Sequence, residues 1–246
     1  MLGRRNIREL ARPGILDRAL RLDWTHPEWC VATAAAAAWV LMARMPGPHA
    51  GHAGHHPPGG APGSGALSSM AMVIAMMLPL VIPHVRHIAL SGPGPRRHLS
   101  VAAFLLGYLA AWIVAQALIV GAFNGIASRT GGMAAAGIAM IAAALWELAP
   151  TKERQLRRCD RRVPLEARGW RAGRDCASFG ASTGIACVAT CWALMAACAA
   201  FAHSLPLMAV LFGVQVSGRF HQRRSPGVAA AVIFGACLLS IAAGSR

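Results

Sequence analysis

The sequence predicts an all-α fold: a polytopic integral membrane helical bundle of about seven transmembrane helices, N-terminus in the cytoplasm and C-terminus outside. Three observations predict it. Of 246 residues, 56 % are hydrophobic and only 13 % are charged, which is too apolar for an ordinary soluble domain. The charges stand between long uncharged runs, of which 176–218 is one, as they do in polytopic membrane proteins. The basic residues also alternate in sidedness. With the N-terminus inside, six Lys/Arg fall in the tail, three at 84–98, nine at 151–175 and three at 219–224, leaving only Arg44, Arg129 and Arg246 outside. A net charge of +15 is thereby explained by the positive-inside rule, and a nucleic-acid partner is not expected.

Two regions follow: a basic cytoplasmic tail over 1–28 and a multi-span membrane domain over 29–246. The tail holds six Arg with Ile7, Leu10, Ile15, Leu16 and Leu20 between them. Such a pattern suits either an amphipathic helix on an anionic leaflet or a solvated arm. The first apolar run starts only near Trp29, so a cleavable signal peptide is not expected. The spans are placed at 29–43, 66–88, 99–123, 133–150, a fifth around 184–203, 205–218 and 227–244. The first and sixth are short for a bilayer that asks for about 20 residues, and 176–218 also reads as a re-entrant hairpin. Pro79 and Pro83 are expected to kink or break the inner half of the second span. Between the first two spans, 46–65 is a Gly/Pro/His outer loop that packs no core. The segment 151–175 is a basic cytoplasmic loop and a candidate surface for a protein partner.

The fifth span carries the chemistry. In GIACVATCWALMAACAAFAH, Cys187, Cys191, Met195 and Cys198 are spaced 4, 4 and 3 apart, which gathers their sulfurs into an arc of roughly 80° on a helix. The second span carries Met70, Met72, Met76 and Met77, with His84 and His87 at its inner end. Soft sulfur ligands select Cu(I), and thiolates also hold zinc. Placed side by side at matching depth, the two spans predict a path from Met72/Cys198, through Met76/Cys191/Met195, to Cys187 and His84/His87. Met70 and Met77 lie on a different helical face from Met72 and Met76. Simple packing is the competing reading, since Cys and Met are common in buried, irregular cores. His203, just past the stripe, joins the candidate ligands.

Two further groups belong to the candidate set. His49, His52, His55 and His56 in the outer loop suit loose capture of Cu(II) or zinc, or serve as a neutral spacer. Glu147, near the inner end of the fourth span, is either a functional intramembrane acid or an interfacial partner of Lys152 or Arg154. Seven Cys, several of them in apolar runs, do not read as an extracellular disulfide framework.

The segments AMMLPLVIP (75–83), FLLGYLAAW (104–112), LWELAPTKERQLRRC (145–159) and CVATCWALM (187–195) occur in this order. Here the chain resembles a bacterial family known as predicted metal-binding integral membrane proteins, a domain of unknown function. The likeness spans about 66–220 and implies a multi-span helical membrane protein with a role in metal handling. The chain departs from that family's pattern at Thr190, where a second Cys precedes Cys191, at His203-Ser204 in place of Met-Asn, and at Ser217-Gly218 in place of Glu-Lys. One thiol fewer favours a mixed Cys/Met/His site over a Cys-rich one.

The sequence thus predicts a bacterial inner-membrane protein that binds or moves a soft metal ion, copper ahead of zinc, in transport, chaperone or assembly work. The alternative is a structural or assembly subunit whose sulfurs only pack. No Ser/His/Asp set, phosphate loop or His-Glu-x-x-His motif points to an enzyme. The expected partners are the lipid bilayer and the metal ion.

Overall fold

The computed structural model describes residues 26–44, 64–91, 97–160, 170–201, 204–220 and 226–244. Among the described residues there are eight helices and no strand: α1 (Glu28–Arg44), α2 (Ser64–Ser91), α3 (Arg97–Thr130), α4 (Gly132–Leu148), α5 (Pro150–Cys159), α6 (Trp170–Ala200), α7 (Leu205–Phe220) and α8 (Pro226–Gly244). Almost all of the basic tail and of the outer His loop lies outside the described residues.

The all-α class stands, but the expectation of seven spans is corrected. Among the described residues three helices, α2, α3 and α6, are long and apolar enough to cross a membrane. The pair α4–α5 counts as a fourth if it is one span, bent by 76° at the break. Two further apolar helices are short: α1 has 17 residues and α7 has 16. At 1.5 Å per residue such a helix is about 25 Å long, less than a hydrocarbon core of about 30 Å.

The segment 151–175 is likewise not a loop throughout. Its first part is α5 and its last residues open α6, which begins at Trp170, well before the sulfur stripe. Pro150 stands at the start of α5, where its fixed φ suits the first turn and its missing N–H costs nothing. Glu153 in the first turn and Arg157 and Arg158 in the last complement the helix dipole. Glu153 also pairs with Arg157 at 3.1 Å, one turn on.

In the second helix the break expected as one of two outcomes at its prolines does not occur. The helix runs from Ser64 to Ser91 through both Pro79 and Pro83. Pro79 has no N–H, so the Ala75 carbonyl one turn earlier loses its helical donor. The Trp39 indole on α1 donates to that oxygen at 3.0 Å. A neighbouring helix thus supplies the bond that the proline removes.

Among the described residues the most extensive helix contact is between α3 and α6. Its cause is a trio of glycines. A Cβ on Gly180 would overlap the Phe104 backbone carbonyl, and one on Gly107 would overlap that of Ala177. A Cβ on Gly184 would stand 2.9 Å from the Tyr108 carbonyl oxygen. Gly180 and Gly184 form a small-xxx-small pair, which lets two backbones approach where no larger residue fits. The outer side of α3 exposes Leu106, Ile113, Val114 and Leu118. The core behind it is rich in sulfur: Met72, Met76, Met77, Cys187, Met195 and Cys198 are all wholly buried.

Candidate metal centre

Two sulfur pairs link α2 to the stripe on α6. The Cys187 thiol lies 3.9 Å from Met77 Sδ, and the Cys198 thiol lies 3.9 Å from Met76 Sδ. The two cysteines are eleven residues apart on one continuous helix, about 16 Å of rise. Their partners are neighbours in sequence. Met76 and Met77 therefore splay apart to reach the two ends of the stripe, with Cys191 and Met195 between them. The expected ladder of matching depths is corrected here: Cys198 meets Met76, and Cys187 meets Met77. The predicted difference in face between Met76 and Met77 does not send either to the surface, because the thioether is long enough to turn either side chain inward.

Cys187 is the most connected of these sulfurs. The Tyr108 hydroxyl approaches its Sγ at 3.2 Å and the Met77 carbonyl oxygen at 3.4 Å. The glycine contact between α3 and α6 puts Tyr108 there. Below it the rings continue as a column. Tyr108 stacks on Phe104 with centroids 6.2 Å apart, and Phe104 stacks on His84 at 6.2 Å and an interplanar angle of 8°. Phe179 closes on both Phe104 and His84 at 5.4 and 5.8 Å. His84 is thus buried among aromatic rings that lead to the Cys187 end of the stripe.

Thr190, which stands where the resembling family has a second thiol, is 1 % exposed. Its hydroxyl donates to the Cys187 carbonyl at 2.8 Å and lies 3.4 Å from Cys191 Sγ. The Trp146 indole on α4 donates to the Thr190 carbonyl at 3.2 Å and packs edge-on against Trp192. These contacts fix the helical turn between Cys187 and Cys191.

Sequence reasoning missed three residues. Tyr108 carries no metal-ligand signature. Cys159 sits in a polar segment, yet it is buried. Arg219, at the end of α7, donates to Cys159 Sγ at 3.0 Å and pairs with Asp160 at 3.1 Å. Only the position of Cys159 within the LWELAPTKERQLRRC segment pointed to it beforehand.

Other predicted residues fall elsewhere. Glu147 forms an ion pair with Lys152, and both side chains are largely buried. His87 is half-buried at the end of α2. Met72 and Met195 share the buried core with the sulfur pairs. His49, His52, His55, His56 and His203 lie outside the described residues. Among the described residues, no three or more His, Cys, Asp or Glu side chains converge as a metal-binding group. Six cysteines among the described residues are thiols: Cys30 is exposed, and Cys159, Cys176, Cys187, Cys191 and Cys198 are buried. What the structure offers is two separate Cys–Met sulfur pairs, each of which suits a soft ion of low coordination number.

Comparison with curated proteins and with solved structures returns no match. A family model, PpoB2, described as a copper chaperone, matches residues 67–243. The matched region includes α3 to α7, nearly all of α2 and α8, and both Cys–Met pairs. The chain belongs to this copper chaperone family.

Proposed function

We propose that this chain is a non-enzymatic, membrane-embedded copper chaperone that carries Cu(I) between thioethers of α2 and thiols of α6. The observation that carries the reading is the pair of Cys–Met contacts at 3.9 Å, Cys187 with Met77 and Cys198 with Met76. Thiol and thioether are soft donors that favour Cu(I) over hard cations. One thiolate with Cu(I) is neutral, so each pair takes the ion into an apolar core with little electrostatic cost. Zinc fits less well, because it asks for four ligands in tetrahedral array.

Membrane residence is supported by the three long apolar helices, the bent α4–α5 pair and the exposed apolar side of α3. Arg219 of α7 reaches Cys159 and Asp160 of α5, so the basic ends of these two elements share one end of the bundle. By the positive-inside rule that end faces the cytoplasm of a bacterial inner membrane. Cys198 then lies nearer the outer face and Cys187 nearer the cytoplasm.

The test is Cu(I) titration of the purified full-length protein in detergent, beside a Cys187→Ser/Cys198→Ser double variant and a Cys30→Ser control. The wild type and the control should bind copper alike and the double variant should lose most of it. Equal copper in all three would leave the sulfurs as packing only, as in a structural subunit.

A further inference from the structure

The two Cys–Met pairs are alike in chemistry and unlike in surroundings. Each sets a thiol of α6 3.9 Å from a thioether of α2, and all four side chains are wholly buried. Among the described residues, the Cys198 thiol has Met76 Sδ as its one hydrogen-bond partner. Cys187 has Met77 Sδ and a second neighbour besides. The Tyr108 hydroxyl donates to its Sγ at 3.2 Å and lies 3.4 Å from the Met77 carbonyl oxygen.

That difference tells most when the sulfur carries charge. A neutral thiol is a weak acceptor, whereas a hydrogen bond to an ionised acceptor is roughly twice as strong as one to a neutral group. In the metal-free protein the phenol proton is offered to a carbonyl oxygen and to a weakly accepting sulfur. When Cu(I) replaces the Cys187 proton, that sulfur becomes more negative and the bond from Tyr108 strengthens. Cys198 gains nothing comparable, because its sulfur has no O–H or N–H donor among the described residues. Two sites with the same donor set therefore differ in affinity.

We infer that the pairs are separate Cu(I) sites of unequal strength, a tight one at Cys187 and Met77 and a weaker one at Cys198 and Met76, with Tyr108 as the positioning residue that sets the order. This rests on the copper reading above. At each site the S–H bond breaks, a bond from Sγ to copper forms, and Met Sδ donates a lone pair to the ion. The thiol proton leaves to solvent, copper remains Cu(I) and no electron moves. The two cysteines are eleven residues apart on one helix, about 16 Å of rise, so both sites fill at once and the protein holds two ions. An ion admitted at Cys198 is held more tightly once it reaches Cys187, so the affinity gradient runs inward.

The experiment titrates the purified full-length protein in detergent with Cu(I) against a Cu(I) chelator of known affinity, beside a Cys30→Ser form that accounts for the exposed thiol. Two buried equivalents should bind, the first about 10-fold more tightly than the second, the scale of an outer-shell partner. Met77→Leu should weaken the first step alone and Met76→Leu the second alone, and both swaps nearly conserve volume. Tyr108→Phe should weaken the first step by about 10-fold, so that the two steps merge, and leave the Cys198 step where it was. A residue that only holds the helices together would shift both steps or neither. A single buried equivalent, two equal steps in the wild type, a first step lost with Met76→Leu, or steps that shift alike in Tyr108→Phe overturns the inference and leaves the Cys–Met reading standing. The wild-type titration decides between one, two equal and two unequal steps even if a variant fails to fold. A wild-type protein that takes up no Cu(I) overturns both together.

Discussion

Tyr108 and Cys187 stand 79 positions apart in sequence and meet at 3.2 Å, hydroxyl to thiol. The contact depends on Gly107, Gly180 and Gly184, which allow α3 and α6 to approach backbone to backbone. The same hydroxyl bonds the Met77 carbonyl at 3.4 Å, so one phenol ties together the two helices that supply the sulfur pair. Tyr108→Phe keeps the ring stack with Phe104 and removes only these bonds. It should cost about 1 kcal/mol of stability and weaken Cu(I) retention by about 10-fold. Thermal unfolding and competition with a Cu(I) chelator measure the two effects separately. Unchanged copper affinity would assign Tyr108 to packing alone.

The methionines allow a cleaner separation of packing from ligation. Leu has nearly the volume of Met, so Met76→Leu/Met77→Leu should cost less than about 1.5 kcal/mol per site. Copper binding should fall sharply even so, because both thioether partners of the stripe are gone. Retained affinity in the folded double variant would show that thiols suffice.

The glycine contact predicts a steric effect. Gly180→Ala drives a methyl into the Phe104 carbonyl. The helices must separate, which should cost at least about 2 kcal/mol and move Tyr108 off Cys187. Gly213→Ala on α7 meets nothing within 4 Å and should leave both stability and copper binding near wild type. Similar losses in the two variants would contradict the close-packing account.

Sidedness is open to a direct test. A reporter active only outside the cytoplasm should work when fused after Gly60 and fail when fused after Arg168. Activity at the second position would place the basic end of α5 outside and reverse the direction of the path.

The sequence by itself determined the all-α class, the apolar spans of α2 and α3, and the sulfur stripe. Each is a periodic or compositional property of one segment. Four sulfurs at 4, 4 and 3 spacing must share a face on any helix, so Cys187, Cys191, Met195 and Cys198 were legible as a set. The ion pair of Glu147 with Lys152 was within reach for the same reason, because its members are close in sequence.

Only the tertiary structure decided which sulfurs meet. Periodicity fixes the direction of a side chain around its own helix but says nothing of how two helices are offset or how far a flexible thioether reaches. Met76 and Met77 therefore went to opposite ends of the stripe rather than into a depth-matched ladder. Cys159 was hidden for a stronger reason. It lies in a segment whose charges read as a solvated loop, yet it is buried at the end of α5, past the 76° bend between α4 and α5. Arg219 arrives from yet another helix. Contacts among residues so far apart leave no periodic trace in sequence. They are set by the glycine approach of α3 to α6 and by the bend before Pro150, where backbone geometry rather than side-chain pattern brings the donors together.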